Sequence, residues 1–166
     1  MSIKRLVFCV LAGSLAAAAA DWPQWRGPER DGISQESGLL QKWPEGGPPL
    51  AWKATGLGEG FASVAVAGGR VITPGQAGGG QAVITFDEAT GRQLWKAPNG
   101  DAYLNRRGGG PRGTPTIDGD TAYVLGSNGS LIALEAATGT QLWRTNVLQR
   151  FNARNINWGL SESPLI

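Results

Sequence analysis

Residues 87–95 read DEATGRQLW and residues 135–143 read EAATGTQLW. The landmarks recur 48 positions apart: Asp87 and Glu135, Thr90 and Thr138, Gly91 and Gly139, Leu94 and Leu142, Trp95 and Trp143. So many coincidences at one offset mark an internal repeat. Each copy follows a short apolar run, AVITF at 82–86 and SLIAL at 130–134, with enough β-branched and large apolar residues to form a strand. The acidic residue and the Thr-Gly pair that come next are turn chemistry. A carboxylate accepts backbone N–H groups there, and glycine takes a positive-φ position without steric cost. Gln93-Leu94-Trp95 and Gln141-Leu142-Trp143 then read as return strands closed by an indole. An indole buries much apolar area yet needs a partner for its N–H, so a tryptophan at a fixed place in each unit suits a seam between neighbouring units.

Working outward, a first unit spans 61–95: a strand at Phe61–Val66, a Gly68-Gly69 turn, a strand at Arg70–Thr73, a glycine-rich loop from Pro74 to Gln81, and the hairpin. A second spans 113–143, with strands at Thr114–Ile117 and Thr121–Leu125, turns at Asp118–Asp120 and Ser127–Gly129, and the second hairpin. Ser163-Pro164-Leu165-Ile166 parallels Thr114–Ile117 and begins a third unit at Ser161. Upstream, Leu50-Ala51-Trp52-Lys53 resembles the closing line of a repeat without its hairpin. The predicted fold is all-β, a β-propeller of four-stranded antiparallel blades, here incomplete at about two blades plus flanking strands. A closed propeller needs at least about four blades. The chain is therefore expected to be the N-terminal portion of a longer protein, with a short chain that closes by assembling with its own copies as the alternative. In a closed ring the orphan strand at 50–53 would complete the sheet built by the C-terminus and leave no open edge.

With 26 Gly and 10 Pro in 166 residues and 17% charged residues, the composition favours many short strands over long helices. Residues 1–20 have the pattern of a secretory signal peptide: basic Lys4 and Arg5, an apolar stretch from Leu6 to Leu15, and Ala18-Ala19-Ala20 before Asp21. An uncleaved anchor is the alternative, although the apolar stretch falls short of the ~20 residues that a spanning helix needs. The chain is thus expected in the periplasm or outside the cell, with no transmembrane segment in its mature part. Removing Lys4 and Arg5 from 15 basic residues leaves 13 against 13 acidic ones, which gives no case for a nucleic-acid partner. Cys9, the one cysteine, lies in the signal segment, and histidine is absent. Disulfides, Cys/His zinc sites and a histidine triad are excluded from the mature residues, and no metal site is assigned. Residues 21–49 form a loop-like N-terminal extension whose Trp22, Trp25 and Trp43 suggest a lid over the scaffold or, alternatively, an aromatic platform for sugars.

The hairpin motif, the strand pair before it and the opening DWPQWRGPERDGIS together resemble the pyrroloquinoline-quinone (PQQ)-repeat, or quinoprotein-like, propeller family over essentially all of residues 21–166. The resemblance implies a propeller but leaves activity open. Some members are PQQ-dependent alcohol or sugar dehydrogenases that hold calcium beside the cofactor, and others, including the propeller lipoprotein of the outer-membrane β-barrel assembly machine, carry blades without a cofactor. The first expectation is an exported binding or scaffold module. The alternatives are a PQQ-dependent dehydrogenase and a cell-envelope assembly factor, so whether the chain is an enzyme is left open. Any ligand, protein or small molecule, is expected on the rim of loops that lead into the blades. The stretches 97–112 and 146–158 place Asn105, Arg106, Arg107, Arg112, Arg150, Arg154, Asn155 and Trp158 there. Arginine forks suit an anion such as the tricarboxylate PQQ, and they equally suit the carbonyls of long loops. No catalytic residue is assigned. Trp52, Asp87, Thr90, Gly91, Trp95, Glu135, Thr138, Gly139 and Trp143 are assigned to the repeat itself.

Overall fold

The computed structural model describes residues 20–166, so the signal-type segment lies outside the described residues except for Ala20. Two four-stranded antiparallel sheets follow one another. The first comprises β1 (Ala65–Ala67), β2 (Arg70–Ala77), β3 (Gly80–Asp87) and β4 (Gln93–Asp101); the second comprises β5 (Thr116–Asp118), β6 (Thr121–Leu125), β7 (Ser130–Glu135) and β8 (Gln141–Asn146). In each sheet the strands pair in chain order, so every connection within a blade is a hairpin.

Several local readings need correction, beginning with the first strands, which are confined to β1 and β5 rather than spanning 61–66 and 114–117. The expected glycine-rich loop at 74–81 is a hairpin: β2 continues through Pro74, which pairs with Val83, and Gly78-Gly79 alone turn the chain. Pairing with β1 stops at Ile72, so the missing N–H of Pro74 falls where β2 has an unpaired side. Similarly, residues 97–101 extend β4 rather than forming loop, which shortens the approach to the second blade. The approach beyond β8 contains one helical turn, α1 (Val147–Arg150), whose first N–H groups are met by the Asn146 carboxamide accepting from Gln149 N at 3.1 Å.

The continuous apolar character of β3 has a direct cause: its sheet is covered on both faces. Ile72 and Val83 face the second blade and join Ile117, Val124, Ile132 and Leu134 in one buried cluster. The alternate residues Val71, Ala82, Ile84 and Phe86 face the other way, where Trp52, Ala54 and Leu57 lie against them. Each such large aliphatic side chain contributes about 1.5–3 kcal/mol by leaving water. Among the described residues the outer face of the second blade has no such cover, and Leu142 and Trp143 on β8 are 54% and 44% exposed.

The repeated hairpin is where neighbouring units lock. In the first copy Gly91 N donates to Asp87 O at 2.8 Å, and the Asp87 carboxylate accepts from Thr90 N at 2.9 Å and the Thr90 hydroxyl at 2.6 Å. Those bonds, the hydroxyl's foremost, hold the Asp87 carboxyl below its ordinary value. The second copy repeats the main-chain bond, Gly139 N to Glu135 O at 2.8 Å, and the bond from the Thr138 hydroxyl to the Glu135 carboxylate. Gly91 and Gly139 have φ of +68° and +75°, and an indole lies flat on each. Trp52 covers Gly91 and donates its Nε1–H to Glu88 O at 2.7 Å; Trp95 covers Gly139 and donates to Ala136 O at 3.1 Å. Added Cβ atoms would stand 2.5 Å and 2.6 Å from those rings, so glycine is required twice over, by φ and by contact. In both blades a register shift lies beside the tryptophan, between Thr85 and Phe86 and between Ala133 and Leu134. It leaves Leu94 and Leu142 as extra residues, and such a bulge re-aims the neighbouring side chain.

Trp52 therefore stands to the first blade as Trp95 stands to the second. The run 50–53 itself pairs with no strand among the described residues. The N-terminal extension also differs from a lid. Trp22 exchanges main-chain bonds with Val66 at 2.7 and 2.9 Å, and Pro23 O accepts from Ile117 N at 2.8 Å. The segment thus runs along β1 and β5, the first strand of each blade, and occupies donors that an open edge would leave bare. Only the Trp22 ring is drawn in, against Gly27, while Trp25 and Trp43 stay 56% and 62% exposed.

Candidate functional site

All connections that lead from one blade to the next emerge on one rim, together with the β2–β3 and β6–β7 turns. The long approach after β4 is tied to itself and back to the first blade and its entry: Tyr103 N donates to the Gln76 side chain at 2.7 Å, Gly110 N to Tyr103 O at 3.0 Å, and Phe61 N to Pro111 O at 2.8 Å. The approach after β8 is then pinned onto it. Asn105 Nδ2 donates to Asn157 O at 2.7 Å and to the Tyr103 hydroxyl at 3.0 Å. Arg112 spans both loops, with Nε donating to Trp158 O and Nη2 to Gly108 O at 2.7 Å. Its guanidinium lies over the rings of Phe61 (4.7 Å) and Tyr103 (5.8 Å). Asn155 Nδ2 donates to Ser127 O at 2.8 Å in the turn of the second blade.

Of the rim residues singled out by sequence, Asn105, Arg112, Asn155 and Trp158 are thereby drawn into the ties between loops: the side chains of Asn105, Arg112 and Asn155 donate to main-chain carbonyls, and Trp158 contributes its own carbonyl. Arg106 and Arg107 are exposed and flank a cleft with Leu104, Asn105 and Asn157, of about 490 Å³. Arg150 and Arg154 are exposed on and after α1 and line neither this cleft nor the larger one described next.

The larger cleft, about 580 Å³, lies where the chain enters the first strand of each blade. Arg112 and Thr114 form one wall, Phe61 and Ser63 a second, Ser161–Pro164 a third, and Gln24, Trp25, Arg26 and Arg30 from the extension complete it. Arg26 and Arg30 were missed by sequence reasoning, which took 21–49 as covering loop. Arg26 Nη2 donates to Asp31 O at 2.9 Å, and Arg26 and Arg30 have left-handed backbones, φ +65° and +59°. The available signal was the pairing of two arginines four apart with Trp25 in a stretch too rich in Gly and Pro to be a helix.

The residues present can be tested against the cofactor that the fold implies. Three arginines line one cleft, a positive charge that suits the carboxylates of PQQ. Calcium beside it would need several oxygen ligands, carboxylates among them. The only carboxylate lining the cleft is Glu162, and no cluster of three acidic side chains able to hold a metal occurs among the described residues. The arginines fit the quinone's acid groups and the oxygen donors do not fit its cation, so no chemical step is derived through the pair.

Antiparallel four-stranded units, each with a closing tryptophan that caps the Thr-Gly turn of the next, define a β-propeller of PQQ-type repeats. Residues 34–164 match the PQQ-repeat family described as outer membrane protein assembly factor BamB, and the chain belongs to that family. A segment of 56 residues, 34% of the chain, is 39% identical to outer membrane protein assembly factor BamB of Burkholderia pseudomallei (strain K96243). It spans 13% of that relative's length. Among solved structures, the quinohemoprotein alcohol dehydrogenase of Comamonas testosteroni matches 89% of this chain with 22% of its own, at 22% identity and a TM-score of 0.57, a likeness of fold. The structure of BamB from Moraxella catarrhalis matches 58% of the chain with 27% of its own, at 22% identity and a TM-score of 0.45.

Proposed function

We propose that the chain belongs to an exported, protein-binding scaffold of the cell envelope that serves outer membrane protein assembly, and that the approach-loop rim is the surface its partner meets. Family membership and the Burkholderia relative support the setting. One observation carries the choice of surface. Leu104, Ile156 and Trp158 stand 81%, 42% and 50% exposed on loops that Asn105 and Arg112 tie together, with Arg106 and Arg107 beside them. Apolar and aromatic side chains held rigidly in water, rimmed by arginine, have the composition of a protein interface core. Because the loops are already tied, docking need not pay for ordering them.

The test is a Leu104→Ser, Trp158→Ser double variant in cells that depend on this protein, read as the amount of folded outer-membrane β-barrel protein. The expected result is a fall comparable to deletion, with the variant's own level and melting temperature unchanged. Unaltered barrel levels would refute the assignment of the rim.

A further inference from the structure

We propose that the 580 Å³ cleft between the N-terminal extension and the blade approaches binds the carboxylates of an extended acidic protein segment. The inference rests on the scaffold reading for its choice of a protein ligand, and the cleft lies beside the exposed apolar rim, sharing Arg112 with the loops that carry it.

Arg26, Arg30 and Arg112 come from segments far apart in sequence and line one cavity. The recorded bonds of Arg26 and Arg112 go to main-chain carbonyls, which orient a guanidinium without neutralising it. Arg112 is further fixed by the aromatic faces of Phe61 and Tyr103. The one acidic residue in the lining, Glu162, accepts from Ser161 N at 2.9 Å. The cleft therefore holds an excess of positive charge: Arg26 and Arg112 contribute guanidiniums partly engaged by carbonyls, and Arg30, whose side chain makes no hydrogen bond among the described residues, offers the fork that receives a carboxylate in a pair of parallel bonds. Arg26 and Arg30 are also two of the three non-glycine residues with positive φ among the described residues, a backbone state unfavourable for a residue with a Cβ. Both face this cavity, so the fold maintains an uncommon backbone where it presents charge.

Its shape favours a chain over a compact ion. Trp25 and Phe61, 56% and 61% exposed, add apolar surface to the lining. Gln24, Ser161 and Ser163 also line the walls; the side chain of each makes one bond within the fold, which leaves the Gln24 amide oxygen and the second bonding capacity of the two hydroxyls for a peptide backbone.

The experiment uses fluorescein-labelled hexaglutamate, with hexalysine and unlabelled citrate as comparators, and reads fluorescence anisotropy at low and high salt. Arg26 and Arg112 each hold a loop carbonyl, so Arg30→Gln is the variant that leaves those loops alone. Hexaglutamate should bind, weaken with salt, and bind about tenfold less tightly to Arg30→Gln, the equivalent of one charge-assisted hydrogen bond. Arg30→Lys should recover only part of that loss, and both variants should melt with the parent. Equal affinity for parent and Arg30→Gln would overturn the proposal. Citrate binding as tightly as hexaglutamate would overturn it in favour of a small polycarboxylate. Loss of the cleft proposal while the Leu104 and Trp158 variant still lowers barrel assembly would leave the scaffold reading standing. Peptide binding with silent rim variants would do the reverse.

Discussion

Replacing Gly139 by alanine should be far more costly than the same change at Gly119, although both are turn glycines with positive φ. At Gly119, φ is +53° and the added Cβ meets open space, so only the left-handed backbone is charged, about 1–2 kcal/mol. At Gly139, φ is +75° and the Cβ would lie 2.6 Å from the Trp95 ring, closer than atoms can stand. The indole must shift. It then weakens its hydrogen bond to Ala136 O, about 1 kcal/mol, and uncovers part of its apolar face, about 1 kcal/mol more. The total is about 3–4 kcal/mol, roughly 2 above Gly119→Ala. In urea, with a slope of about 1–3 kcal/mol per molar, the two midpoints should differ by about 1 M. In a Trp95→Ala background the excess cost at Gly139 should vanish, because the atom it strikes is gone. Equal losses at the two glycines, or an excess that survives removal of Trp95, would refute the seam.

Trp95→Ala should cost about 2–4 kcal/mol, whereas Trp143→Ala, half exposed and set against Tyr123 at 6.0 Å, should cost about 1 kcal/mol or less; chemical denaturation of the two variants decides. The carboxyl of Asp87 is held below its ordinary 3.8, so its contribution is complete above that pH and fades as pH falls through the lower folded value. An acid titration of melting temperature should show that loss in the parent and a shallower one in Asp87→Asn. Arg112→Ala should release the two approach loops from each other, seen as faster hydrogen exchange at 102–110 and 155–160. Arg112→Lys should not restore protection, since one ammonium cannot reproduce a fork that reaches two carbonyls.

The blades were legible because their determinants are local. Acid, Thr-Gly and tryptophan at one spacing encode a turn and its cap, and the run 82–86 reads as a strand, although that both its faces are covered emerged only from the packing. Residues 74–81 were misread because proline and glycine usually break strands, and only the paired register shows β2 running through Pro74 to a two-residue turn. The site was less legible because its residues are assembled by tertiary structure. Arg26 and Arg30 reach Arg112 only after Trp22 and Pro23 are seated on β1 and β5, and no local pattern encodes that. Sequence grouped the arginines of the approach loops by composition; folding left Arg150 and Arg154 outside both clefts and committed Arg112 to two carbonyls.

Site-specific photo-crosslinking in living cells tests the central claim most directly. A photoreactive residue at 104 or 158, on the approach-loop rim, should capture a component of the outer-membrane assembly apparatus, while the same probe at Ala89, in the exposed turn at the opposite rim, should capture none. Capture from position 89 with silence at 104 and 158 would contradict the account.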